Sequence, residues 1–394
     1  MPAASKPIIF VIWQSLVVKS YRSFFYKLAE IGEAQIVLIA PDKFKELGSQ
    51  VIQAAAFDNT ANCRGEILHA WSPHTQIVWY RGLTKVLRKY SQQHGASRPI
   101  IVLNLAEPYS ITSLLCWLQT RLALGKSAIF STYALQNIFK EFGLILKMVQ
   151  KFVFSRCRFI LSLGSEQSEV LRRQGFSGEI VNFPLWFDSS RFRLTGDLGS
   201  KTEANTRKIT VGFIGSLVAE KGVLDIFDAL QRNSDPAQFG FKLLIAGRGA
   251  LQNQVVQRCE ELKERGVECE YLGPLSADEV PKFFERMDIL MVPSRTAEHW
   301  KEQFGRVIIE AMACGCTVIG SNSGEIPHVI GQADYIFKEA QPADLLRVLL
   351  EVADRIRSQK DGFEYRKATA ALAARYSDVE LSRQFLSRII AKLA

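Results

Sequence analysis

The chain has 394 residues, 47% hydrophobic and 23% charged, with a formal net charge of +9. That balance excludes a disordered or collagen-like chain, and that length suits two domains of ordinary size. Glu107 and Pro108 break the longest apolar candidate, residues 100–118, so no stretch reaches the roughly 18 uninterrupted apolar residues of a membrane-spanning helix.

The opening MPAASKPIIFVIWQSLVVKSYR has a short apolar run followed by Lys19 and Arg22, not by a small-residue cleavage site. A cytoplasmic location is therefore expected. Short β-branched runs then alternate with longer helical patterns. The strand candidates of the first half are 7–13, 34–40, 99–105, 127–132, 158–163 and 179–183. Near-continuous apolar runs of this kind suit parallel strands buried on both faces. Helical patterns fall between them, as at 20–32 and 80–95. At the end of the first strand the available polar groups are Ser15, Lys19, Ser20 and Arg22.

Residues 193–207 (RLTGDLGSKTEANTR) are polar and aperiodic, and read as a linker. The second half repeats the plan with strands at 207–215, 241–247, 268–273, 288–294 and 316–321, helices between them, and a closing helix at 377–393. This alternation predicts two doubly wound α/β domains facing across a cleft, with ligands beyond the carboxyl ends of the strands. The seven cysteines, at 63, 116, 157, 259, 269, 314 and 316, form no regular framework and point to free thiols in a reducing compartment. Cys314 and Cys316 have no second Cys or His cluster near them and read as small buried residues, so no metal is expected.

Charge is unevenly placed. Residues 1–190 hold 21 basic and 12 acidic residues, so the whole excess of +9 lies there and the remainder is balanced. An anionic partner for the first half is expected. Arg81, Lys85, Arg88 and Lys89 share one helical face. Residues 139–158 mix Lys140, Lys147, Lys151, Arg156 and Arg158 with Phe, Leu, Ile and Val. Such a stretch suits either a core helix with a solvated basic face or an anionic membrane surface. Nucleic acid is not expected, because no stacking aromatics accompany a binding module.

The most informative stretch is 288–331. A strand ends at Ser294, a polar loop follows, and Phe304-Gly305 precede an apolar helical run that contains Glu310. The N–H groups at such a helix start, around Phe304 to Val307, suit a phosphate. A carboxylate inside that run can accept hydrogen bonds from sugar hydroxyls. It can equally pair with Arg306 at i, i+4 on a solvated face.

Glu302-x-Phe304-Gly305-x4-Glu310-Ala-Met-Ala-x-Gly315 resembles the Glu-x7-Glu signature of the family-4 (group 1) retaining glycosyltransferases, which have the GT-B fold. The resemblance is strong over about 205–335 and weak over most of the rest. FIGSLVAEKG (213–222) is similar to the family segment whose lysine, here Lys221, binds donor phosphate. LLIAGRG (243–249) is similar to its next strand and Gly-x-Gly turn, and IVNFPLWFDSSRF (180–192) to its domain-end segment with Asp188 and Phe192. The resemblance implies an acceptor-binding domain at 1–192, a nucleotide-sugar-binding domain at 207–376, and a helix at 377–394 returning to the first.

Sugar transfer with retention from a nucleotide-diphosphate sugar, without a metal or other cofactor, is the implied activity. Its acceptor would be a hydroxyl of a glycan, glycolipid or lipid-linked intermediate. The residues expected to carry it are Lys221, Glu302 and Glu107 for catalysis, and Gly215, Ser216, Arg248, Phe304, Gly305, Arg306, Val307 and Glu310 with Lys221 and Glu302 for the donor. Ser15, Lys19 and Arg22 fall on the acceptor side.

Departures from the pattern keep other readings open. Ser216 stands where the family has Arg, with Arg248 or Arg22 as replacements, and Ala106-Glu107-Pro108 stands where many members have His-Glu-Pro. Gly324-Glu325-Ile326-Pro327-His328 replaces Gly-Gly-x-Pro-Glu, which puts a carboxylate in a normally bare loop. The alternatives are another GT-B enzyme, such as a sugar-nucleotide epimerase, or a catalytically weak nucleotide-sugar-binding protein. A dinucleotide dehydrogenase is not expected, since no strand is followed by Gly-x-Gly-x-x-Gly.

Overall fold

Ile8–Ile12 is buried at every position, as an inner strand of a parallel sheet covered on both faces must be. A computed structural model, which describes residues 6–45, 51–74, 76–93, 98–195, 208–232, 236–358 and 362–391, shows the sheet to which it belongs. The chain divides into two units: Met1–Pro184 with Asp378–Ala394, and Leu185–Ser377.

The main sheet of the first unit has seven strands: β1 (Ile8–Ile12), β2 (Gln35–Pro41), β3 (Cys63–Leu68), β4 (Ile100–Asn104), β5 (Ala128–Ala134), β6 (Phe159–Ser162) and β7 (Glu179–Asn182). Their order is β7-β6-β5-β4-β1-β2-β3, all parallel. Strand order reverses between β1 and β4, so the ligand-binding end of this sheet lies beyond their carboxyl termini. β3 is a strand that the apolar pattern does not announce. It lies on the sheet edge with Arg64, Gly65 and Glu66 in its middle.

The closing helix, Asp378–Ile390, belongs to this first unit. Phe385 meets Phe183 and Phe24, with ring centroids 4.7 and 5.5 Å apart. The return of the last helix to the N-terminal domain is thus held by an aromatic cluster.

The second unit holds β8 (Ile209–Ile214), β9 (Phe241–Ala246), β10 (Glu268–Tyr271), β11 (Ile289–Val292), β12 (Thr317–Ser321) and β13 (Ile336–Phe337). Their order is β10-β9-β8-β11-β12-β13, again all parallel. This is the strand order of a dinucleotide-type Rossmann sheet, with its switch point between β8 and β11. Residues 196–207 of the expected linker lie outside the described residues. Just before them, Phe187 N–H donates to Tyr376 at 3.1 Å and Phe192 packs 6.2 Å from Phe284. These contacts place residues 185–192 with the second unit.

Candidate active site

β8 and β11 run side by side, and the segments leaving their carboxyl ends are locked together. After β8 comes a single 3-10 turn, Ala219–Lys221, then Gly222 and the helix Val223–Gln231. Gly222 has φ 64°, and a Cβ on it would lie 1.9 Å from the Pro293 carbonyl oxygen after β11. Only glycine fits there. Arg295 adds two anchors: its N–H donates to Glu220 O at 2.7 Å, and its guanidinium grips the buried carboxylate of Asp225.

This arrangement brings Lys221 and Glu302 together. Lys221 Nζ donates to Glu302 Oε2 at 2.6 Å, and Ser294 Oγ donates to the same oxygen at 2.9 Å. The ammonium also lies 4.8 Å from the centre of the Trp300 ring. Glu302 is only 8% exposed, a carboxylate that burial would make costly without those donors. Its main chain is fixed too. Glu325 N–H donates to Glu302 O at 3.2 Å, and Gly324, at φ 56°, leaves no room for a Cβ beside that oxygen.

Gly305 then leads into the helix Arg306–Ala313. Phe304 is buried and packs edge-on against Tyr376 at 5.6 Å, so it supports the helix start from within. Arg306 Nε donates to Glu310 Oε1 at 2.7 Å. The i, i+4 pair therefore forms, but on a buried face: Glu310 is 7% exposed. Burial raises its pKa, and the neighbouring Arg306 charge and hydrogen bond pull it back. The pair occupies one carboxylate oxygen and leaves the second for another donor. Val307 lies half-buried on the first turn of the same helix.

Gly215 and Ser216 directly follow β8, with Ser216 exposed. Leu217 N–H donates to Arg248 O at 2.9 Å, which sets the Gly247–Gly249 turn against this segment. The Arg248 side chain is exposed, and among the described residues it makes no ion pair. Glu325, the carboxylate in the Gly324–His328 loop, turns inward, 3% exposed, and pairs with His328 at 3.3 Å. It does not add a bare charge to the loop surface.

The corresponding end of the first unit is built differently. Arg22 is a correction: it is not available to an anionic donor or to an acceptor. It is 1% exposed and donates to the carbonyls of Leu16 (2.7 Å), Ala56 (2.5 Å), Ala55 (2.8 Å) and Val17 (3.5 Å), with Phe57 stacked 4.0 Å away. It ties Gln14–Val17, the first of two short turns after β1 (the second is Lys19–Tyr21), to Ala55 and Ala56. Ser15, in the first turn, is half-buried, and Lys19, in the second, is exposed. Glu107, beyond β4, accepts from Leu135 N–H at 3.0 Å. Burial pushes its carboxyl up to about 7, against the main-chain donors of Leu135 and Gln136 and the charge of Lys140. The roles of Ser294, Arg295, Asp225 and Trp300 at the β8/β11 end have no signal in the sequence. Asp225 and Arg295 lie 70 residues apart, and no local pattern links them.

Among the described residues, no group of three His, Cys, Asp or Glu is placed to hold a metal ion. Cys314 and Cys316 are buried, and burial raises both thiols. No helix of the described residues is long and apolar enough to cross a membrane.

Two units, each built on a parallel Rossmann-type sheet, make up the architecture of the GT-B class. Comparison with known proteins agrees on the fold. HepE of Anabaena, in complex with UDP, superposes with a TM-score of 0.65 over 98% of this chain and 100% of its own, at 15% identity. Residues 197–362 match the model of the glycosyl transferases group 1. An uncharacterized glycosyltransferase of Methanocaldococcus jannaschii is 32% identical over 142 residues, 36% of this chain and 37% of that protein. A GDP-mannose-dependent alpha-mannosyltransferase of Corynebacterium glutamicum is 25% identical over 276 residues, 66% of this chain and 60% of that one. The first of these curated relatives are matched over about a third of their length. Residues 197–362 thus carry a likeness to the group 1 glycosyl transferases, and the chain has the GT-B fold.

Proposed function

We propose that this protein transfers a sugar from a nucleoside-diphosphate sugar to an acceptor hydroxyl, with retention and without a metal ion. The observation that carries the reading is the Lys221–Glu302 pair at the β8/β11 switch point, 2.6 Å long and within one loop of the helix that starts at Arg306. In the reaction the bond from the anomeric carbon to the diphosphate oxygen breaks, and a bond from that carbon to the acceptor oxygen forms. The acceptor proton leaves with the diphosphate. Negative charge grows on the leaving oxygen, so a placed cation lowers the barrier. An ammonium has three donors; Glu302 takes one, and the diphosphate takes the others.

In this reading the second unit holds the donor. Gly215 and Ser216 let the diphosphate approach the main chain after β8, and the helix start at Arg306 and Val307 faces its phosphates. Glu310 accepts from the ribose through the oxygen that Arg306 does not occupy. Glu302 faces the donor sugar. Arg248 supplies the second cation, in place of the Arg that Ser216 replaces. The first unit holds the acceptor at the β1/β4 end, near Ser15, Lys19 and Glu107. The excess positive charge of residues 1–190 suits a glycolipid or lipid-linked acceptor at the cytoplasmic face of an anionic membrane.

The test is turnover of UDP- and GDP-sugars with and without added acceptors, with the anomeric configuration of the product read by NMR. Acceptor-dependent transfer that keeps the donor configuration and survives EDTA is expected. Turnover that needs no acceptor would make the protein an epimerase or hydrolase, and loss of activity with EDTA would remove the metal-free mechanism.

A further inference from the structure

The helix Leu144–Phe154 in the first unit has one face that the fold does not use. Val149, Gln150 and Val153 are buried. Leu144, Ile145 and Met148 are 76%, 74% and 63% exposed. At 3.6 residues per turn these three share one outward arc, and Lys147 and Lys151 run along one flank of it. Single exposed leucines are ordinary. Three large apolar side chains within five residues, edged by lysines, form the pattern of a helix lying in a lipid interface.

A groove of about 660 Å3 adjoins the same helix. Lys140, Lys147, Lys151 and Arg173 line it, and Glu141 is the acidic residue of the lining. The Arg173 guanidinium also covers the Phe139 ring at 4.6 Å. Four cations against one carboxylate complement a phosphodiester headgroup, while the apolar arc complements acyl chains.

The location ties this surface to the site. The loop that leads into the helix leaves β5 at its carboxyl end. There Leu135 N–H donates to Glu107 at 3.0 Å, and Phe142 stacks on Tyr109 with centroids 4.3 Å apart. The arc begins two residues later, at Leu144. It thus stands at the sheet end where the acceptor is expected.

We propose that helix Leu144–Phe154 docks the protein on an anionic phospholipid surface. Leu144, Ile145 and Met148 enter the acyl boundary, and Lys140, Lys147, Lys151 and Arg173 bind the phosphate headgroups. The inference rests on the membrane-borne acceptor proposed above and adds the surface that meets the membrane. Co-sedimentation of the full chain with vesicles of phosphatidylglycerol and phosphatidylcholine, or of phosphatidylcholine alone, tests it. Wild type is expected to bind the anionic vesicles, and the triple variant Leu144→Ser, Ile145→Ser, Met148→Ser to lose at least about tenfold in partitioning, at low and high salt alike. Lys147→Glu with Lys151→Glu should lose binding mainly at low salt, where charges are least screened. An unchanged melting temperature and an unchanged stabilisation by UDP or GDP show that the variants are folded. If wild type binds the anionic vesicles and the triple serine variant binds equally well, this helix is not the docking surface, although a membrane-borne acceptor survives. If wild type binds neither vesicle, the docking helix and the membrane-borne acceptor both fall, and nucleotide binding by the second unit is untouched.

Discussion

The two sheets have the same strand order about their switch points, yet their carboxyl ends handle charge in opposite ways. At the β8/β11 end three cations are each held by a carboxylate: Lys221 and Arg295 by one from a separate segment, and Arg306 by Glu310 on its own helix. The carboxylates are buried, and the cations remain partly accessible. An anion arriving there meets cations already oriented. At the β1/β4 end the arginine is sunk among main-chain carbonyls, and the carboxylate is held by main-chain donors, with its pKa near neutrality. In the proposed function the second sheet would meet a multiply charged donor, and the first an acceptor with little charge at its reacting group. That division is what a donor diphosphate and an acceptor hydroxyl require.

The largest effect that would break this contrast belongs to Lys221. Lys221→Ala is expected to lower turnover by about a hundredfold through lost leaving-group stabilisation. Its melting temperature should be measured alongside, since Glu302 then loses a partner while buried. Turnover within about twofold of wild type would remove Lys221 from the mechanism. Glu302→Ala comes next, with transfer falling by more than about tenfold while affinity for the free nucleoside diphosphate changes by less than about threefold, because in the proposed function its contact is with the sugar. Equal losses in both would mean that Glu302 only holds the loop.

Glu107 sharpens the other side of the comparison. Its pKa in the fold is about 7, raised from 4.5 by burial. A carboxyl whose pKa is raised by folding binds more protons in the native state than in the unfolded one. Wild type should therefore lose stability as pH rises from about 4.5 to about 7, by on the order of 3 kcal/mol at most. Glu107→Gln should flatten that slope, so that its stability relative to wild type improves between pH 5 and pH 8 in urea unfolding. Parallel curves for the two proteins would show that Glu107 is solvated and ionised throughout. The smallest expected effect is that of Arg248→Ala. It removes one exposed cation and should weaken nucleoside diphosphate binding severalfold, more at low salt than at high salt.

Much of this was readable in the sequence, for reasons that separate one element from another. Strands such as Ile8–Ile12 and Ile289–Val292 are buried at every position, so their apolar runs announce them. β3 escaped because an edge strand carrying Arg64 and Glu66 has no such run. The hairpin Ala70–His74 with Ile77–Tyr80 escaped as well, since its Trp71 and Trp79 face one another outside the main sheet. In the site, Lys221 and Glu302 were legible through the family signature alone, because 81 residues separate two side chains that meet at 2.6 Å. Arg22 misled because its number of backbone carbonyl partners is a property of the folded turns and of no local pattern. Glu310 is a similar case: i, i+4 spacing predicts the ion pair with Arg306, but not that the carboxylate is buried.

The second unit is expected to bind a nucleoside diphosphate at the β8/β11 end, and calorimetric titration with UDP and GDP measures that binding. Wild type should bind one of the two. Glu310→Gln keeps the shape of the side chain and removes a charge-assisted hydrogen bond, so it should weaken that binding by about 1.5–3 kcal/mol without lowering the melting temperature of the protein by a comparable amount. Equal affinity in wild type and Glu310→Gln would mean that Glu310 does not touch the nucleotide, and no binding of either nucleotide by wild type would mean that the β8/β11 end is not a nucleotide site.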